Sequence, residues 1–168
     1  MDIHKEFLSF EIGHNDGYTI TLNVFATNGR FAGRTNFYTP PDGSGLLEFA
    51  RSLQGFPKRL DQVEEFWFGI SHDDSIPLKK INEDPSTFDS FVGLKFLCVD
   101  GFGRTAVDIN LYEALDFDEL REESRGKVYF EMRFYPAQLD QFVQELFALG
   151  ENREGTATLM WSGYDYRM

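Results

Sequence analysis

Phe134-Tyr135-Pro136-Ala137-Gln138-Leu139-Asp140-Gln141-Phe142-Val143-Gln144-Glu145-Leu146 is the stretch that decides the architecture of this chain. Leu139, Phe142, Val143 and Leu146 stand at offsets 0, 3, 4 and 7, which places four apolar side chains on one face of an α-helix. The same offsets occur earlier, at Leu46, Phe49, Ala50 and Leu53, and there too an aromatic pair, Phe37-Tyr38, leaves a strand-like run before the helix. The pattern predicts two amphipathic helices, over about 45–55 and 136–149, in a pseudo-repeat of strands followed by a helix. An amphipathic helix needs this spacing wherever it packs, so the ladders speak of architecture and leave chemistry open.

Outward from the ladders, the chain reads as strands joined by turns. Residues 6–12 alternate, with Leu8, Phe10 and Ile12 on one face, and Asn15-Asp16-Gly17 supplies a turn. Residues 18–26 continue the alternation with Ile20, Leu22 and Val24 inward, Asn28-Gly29 turns the chain, and a third strand covers about 31–38. Residues 40–45 break the sheet, Ser44 is the expected cap of the first helix, and Gly55 and Pro57 close it. Residues 66–70 read as a strand, and 71–90 mainly as a loop with room for a short strand near 78–81. Strands at 91–99 and 104–112 flank the turn Asp100-Gly101-Phe102-Gly103, and Val128, Phe130, Met132 and Phe134 form one face of another strand. Pro136 is expected to start the second helix and Gly150 to end it, before a last strand at 156–161. The order implies a single domain over 1–168, an α+β fold of mainly antiparallel sheet, with one sheet and two packed sheets both open.

Sixteen basic and 28 acidic residues give a net charge of −12, which opposes binding to nucleic acid and to anionic membrane. Residues 1–60 hold six of each sign, so the whole acidic excess lies in 61–168, where it suits a basic protein partner as well as solubility. The single cysteine, Cys98, cannot form an internal disulfide and sits between Leu97 and Val99, as expected for a small apolar residue in a reducing compartment. The first residues lack the basic stretch and apolar run of a secretory signal, and no segment approaches a membrane span in length, so a soluble, cytoplasmic protein is expected.

Reactive motifs are scarce. His72 and Asp74 in Ser71-His72-Asp73-Asp74 have the look of two metal ligands, but no third is announced, and a solvated turn is the better explanation. Gly43-Ser44-Gly45 lacks the Lys-Ser/Thr of a nucleotide loop, no serine stands in elbow spacing, and acidic pairs such as Glu64-Glu65 are too common to signify. No catalytic, cofactor-binding or metal residue is therefore assigned, no cofactor is expected, and the chain is read as a binding protein without enzymatic activity. The densest charge is at 113–123, where Glu113, Asp116, Asp118, Glu119, Glu122 and Glu123 accompany one base. These acids fit best as a solvated helix capped by Asp116, which is compatible with a negative patch that steers a basic partner, with Phe117 or Leu120 as apolar anchor. Among 27 aromatic residues, Tyr18, Phe25, Tyr112, Tyr129 and Tyr135 alternate onto the face opposite the expected core, where aromatics serve as interface anchors unless helices cover them.

Several of these runs together resemble a known family. Phe31-Ala32-Gly33-Arg34 through Phe37-Tyr38, the stretch Leu53-Gln54-Gly55-Phe56-Pro57, the hairpin from Leu94 through Asp108-Ile109-Asn110-Leu111 and the helix from Leu139 to Leu146 are similar to small bacterial immunity-type domains of polymorphic toxins, of the WapI-associated kind. The resemblance covers most of the chain and consists of packing patterns and turns. It implies a cytoplasmic, non-catalytic protein that binds and neutralises a cognate toxin domain, often a basic nuclease, and it assigns no binding residue. Two other readings remain open: a small-ligand-binding or enzymatic domain with an aromatic-lined cleft between sheet and helices, and a homodimeric interaction module that pairs through its terminal strand or exposed tyrosines.

Overall fold

Three turns set the register of the strands, each through a short polar side chain that accepts from the backbone just beyond it. Asp16 Oδ1 accepts from the N–H groups of Tyr18 and Thr19, both at 2.8 Å, and Asn28 Oδ1 accepts from Phe31 at 2.9 Å. Asp100 Oδ1 accepts from Phe102 at 2.8 Å. Gly17, Gly29 and Gly103 take the positive φ that closes these turns.

In the computed structural model, which describes residues 5–71, 88–114 and 125–162, the elements follow in the order β1 (Lys5–Asn15), β2 (Ile20–Thr27), β3 (Ala32–Thr39), α1 (Ser44–Leu53), β4 (Val63–Ser71), β5 (Phe88–Cys98), β6 (Thr105–Ala114), β7 (Arg125–Phe134), α2 (Pro136–Asn152) and β8 (Thr156–Ser162). They form two four-stranded antiparallel sheets, β3-β2-β1-β8 and β4-β5-β6-β7, with two helices: the α+β fold expected from the strand and helix patterns. Each sheet begins as a meander that feeds a helix, and β8 then returns to pair with β1. The possible strand near 78–81 lies outside the described residues.

Both ladders are buried as their spacing predicts, and their phenylalanines meet at the centre of the core. Phe10 of β1 lies 5.6 Å from Phe49 of α1 and 6.1 Å from Phe142 of α2, centroid to centroid. Phe68 of β4 and Phe96 of β5 approach Phe49 from the second sheet, at 5.3 and 6.3 Å. One hydrophobic cluster thus spans both sheets and both helices.

Two helix-end expectations are corrected. Ser44 does not cap α1: the residue ahead of the helix is Gly43, in left-handed conformation at φ 73°, and Asp42 Oδ1 accepts from the Ser44 N–H at 2.9 Å. Gly150 does not end α2, which continues to Asn152 and closes on Arg153, at φ 58°. Its real constraint is close approach. A Cβ on Gly43 would stand 2.1 Å from the Gly150 carbonyl oxygen, and one on Gly150 would stand 2.8 Å from Leu47 Cδ2, so the start of α1 and the end of α2 meet where neither has a side chain. Pro136 starts α2 as expected, and Gln138 Oε1 accepts from the Tyr135 N–H at 2.9 Å.

Both edges of the first sheet are occupied. Glu145 Oε2 on α2 accepts from the Thr158 N–H of β8 at 2.7 Å, so strand addition at that point would have to break a charge-assisted hydrogen bond. At the other edge, β3 is fastened to the second sheet: Thr35 Oγ1 donates to the Tyr112 carbonyl at 2.9 Å, and Ser90 Oγ donates to the Asn36 carbonyl at 2.6 Å. Gly150→Ala should cost about 1–3 kcal/mol in urea unfolding by overpacking the helix crossing, whereas Gly101→Ala, where a Cβ meets nothing within 4 Å, should stay within about 0.5 kcal/mol of the parent.

Candidate functional site

Alternation along β1, β2 and β3 sends Leu8, Phe10, Leu22, Val24 and Phe37 into the core, and it must send their neighbours to the other face. The hairpin registers then line those neighbours up. Glu11 faces Asn23 and Asn23 faces Asn36, while in the next row Ser9 faces Phe25 and Phe25 faces Arg34. These side chains surround an open recess of about 370 Å³, and Glu113 of β6 completes its wall. Glu113 reaches it because the Thr35–Tyr112 bond holds β6 against the edge of the first sheet.

The chemistry of the recess is polar and of mixed sign. Glu11 and Glu113 oppose a single guanidinium, Arg34, and no ion pair joins the three; the short ion pairs among the described residues include Arg59–Asp61 and Arg104–Asp100. Asn23 and Asn36 bring amides, Ser9 a hydroxyl, and Phe25, 38% exposed, an aromatic wall. Asn23 lies down over Gly13, where a Cβ would stand 2.4 Å from its Nδ2, at the bulge between Ile12 and His14. Tyr38, 55% exposed, stands on the same face beyond the recess. A second, largely apolar slot of about 150 Å³ opens between β3, β4 and the start of α1, with Phe37, Leu46, Phe68 and Gly69 in its walls. Among the described residues, it is a counterpart of the cleft expected between sheet and helices.

Of the acids expected to meet a partner, Glu113 lies in the recess. Asp116, Asp118, Glu119, Glu122 and Glu123 lie outside the described residues, as do His72, Asp73 and Asp74. Among the described residues, no group of three His, Cys, Asp or Glu side chains could hold a metal ion. Burial, followed by the charge of Asp100, raises the Cys98 thiol above its usual range, which keeps it protonated at neutral pH.

The expected aromatic face divides between the two sheets. Tyr18 is exposed, Phe25 lines the recess, and Tyr129 is exposed on the outer face of the second sheet. The negative charge of Asp108 and then burial hold the Tyr129 hydroxyl above its ordinary range. Tyr112 takes the covered alternative. Its ring is 5% exposed and stacks on the buried Phe91 at 5.0 Å, with the half-buried Trp67 6.2 Å beyond, so it is packed rather than free to anchor an interface. Gly93 makes room for this row of rings, because a Cβ there would stand 2.3 Å from Trp67 Cζ3.

No family model matches this chain, and no curated protein or solved structure matches it either. Among the described residues, no helix is long and apolar enough to cross a membrane.

The row beneath Trp67 contains a sharp energetic test. Among the described residues, Tyr112 OH and Asn110 Oδ1 are buried without a hydrogen-bond partner, and an unsatisfied buried hydroxyl costs about 1–3 kcal/mol. Tyr112→Phe should therefore hold or raise the unfolding free energy measured in urea, by up to about 1–3 kcal/mol, where loss of a bonded hydroxyl would lower it.

Proposed function

We propose that this chain is a non-catalytic, cytoplasmic binding protein of immunity type, which occludes a basic toxin domain with the outer face of its first sheet. The observation that carries this reading is the recess, which brings two carboxylates, two amides and a half-exposed phenylalanine together on a face where Tyr38 also stands free. Protein interfaces favour this mixture of exposed aromatic anchors and polar groups held by a rigid scaffold. The net charge of −12 supplies a field that attracts a basic domain and repels nucleic acid. Glu113 joins the recess to the acidic run that ends at Glu123, so the proposed contact face and the proposed steering charges are continuous along the chain.

Two kinds of charge then act differently. Asp116, Asp118, Glu119, Glu122 and Glu123 are proposed to steer, and changes in steering charges act on association and on its salt dependence. Glu11 and Glu113 are proposed to contact the partner, and loss of a contact acts on dissociation. A toxin domain encoded beside this chain should co-purify with it, with an association rate that falls at least about tenfold from low to high salt. Reversing Asp118, Glu119, Glu122 and Glu123 together should slow association and leave dissociation nearly unchanged. An association rate indifferent to both salt and this reversal would remove the steering proposal, and failure to capture any basic domain would remove the immunity reading.

A further inference from the structure

The recess carries more chemical detail than a general acidic surface. Glu11 is on β1 and Arg34 on β3, two strands apart, so their backbones are separated by about 10 Å across the sheet. Phe25 stands between them on β2, in register with Arg34 and with Ser9. Glu113 enters from the β6 side, next to the strand that carries Arg34, so the recess holds two carboxylates and one guanidinium. The recess thus carries one carboxylate in excess, and Glu11 is the one on the central strand side of Phe25. Beside it lies Asn23, held down over Gly13.

A ligand that satisfies these groups needs a cation for Glu11, an apolar stem for Phe25 and a hydrogen-bond acceptor for Arg34. We propose that the recess receives one basic residue of a protein partner, with its ammonium or guanidinium against Glu11, its methylene stem along Phe25, and its own backbone carbonyl accepting from Arg34. A guanidinium fits best, because its several N–H donors match a carboxylate together with the Asn23 amide oxygen. The methylenes of a basic side chain pack on an apolar surface while the head stays polar, and the ring face adds a cation–π term. Arg34 in turn explains why the site selects a residue within a chain, since a bare cation would leave Arg34 unanswered. This assignment rests on the partner-binding reading above and names the chemistry of its central contact.

The probe is N-acetyl-L-arginine N-methylamide, titrated at millimolar concentration into ¹⁵N-labelled protein, with the matching citrulline compound as neutral isostere. The arginine compound should shift the signals of Ser9, Asn23, Phe25 and Asn36, and Glu11→Gln should weaken it about tenfold or more, as expected for loss of one charge-assisted hydrogen bond. Arg34→Gln should weaken both compounds alike, because both carry the carbonyl. Equal binding of the citrulline compound, or shifts that are absent or survive Glu11→Gln, would overturn the assignment. The two proposals fail separately: recess shifts without capture of any basic protein would retire the immunity reading alone, and capture of a basic partner unaffected by Glu11→Gln would retire the recess assignment alone.

Discussion

Strand β3 pairs through its backbone with β2, yet it is fastened to the other sheet by two hydrogen bonds, from Thr35 Oγ1 to the Tyr112 carbonyl and from Ser90 Oγ to the Asn36 carbonyl. Those bonds join residues 77 and 54 positions apart in sequence, so each fixes a large part of the chain relative to another. At its start β3 comes so close to β7 that a Cβ on Gly33 would stand 3.1 Å from Val128. An edge strand with free N–H and C=O groups invites pairing with other chains, and this double attachment removes much of that opportunity. It also carries Glu113 to the rim of the first sheet, and the recess closes on that side because of it.

The core complements this seam. Apolar burial across Phe10, Phe49, Phe68, Phe96 and Phe142 is non-directional and stabilises any arrangement that keeps the rings together. Direction comes from contacts that tolerate no slack: the glycine crossing of α1 and α2, the Glu145 carboxylate on the Thr158 N–H, and the two bonds of β3. The outer face of the first sheet is consequently a rigid platform whose side chains are spaced by strand geometry. A rigid platform binds with little loss of entropy, which suits a protein whose proposed work is occlusion.

Much of the fold was legible in the sequence because helix and strand periodicities are local. The two ladders are buried at every position, and the turns at Asp16, Asn28 and Asp100 close hairpins where their residues say they should. The helix ends were misread because a glycine near a helix terminus has two physical uses, left-handed conformation and close approach, and only the position of the other helix tells which applies at Gly150. Half of the recess could have been found by counting outward from Asn28-Gly29, which sets Phe25 opposite Arg34 and Asn23 opposite Asn36. Glu113 could not, since nothing local says that β6 lies beside β3. Tyr112 stayed open for a related reason: alternation assigns a face, but not what covers it.

The seam can be tested without any partner or ligand. In a three-dimensional NOESY experiment on the labelled protein, the account predicts cross-peaks between the side chain of Thr35 and the backbone of Tyr112, and between Ser90 and Asn36. Absence of both, in spectra that retain the β2–β3 cross-peaks of Asn23 with Asn36 and Phe25 with Arg34, would contradict it.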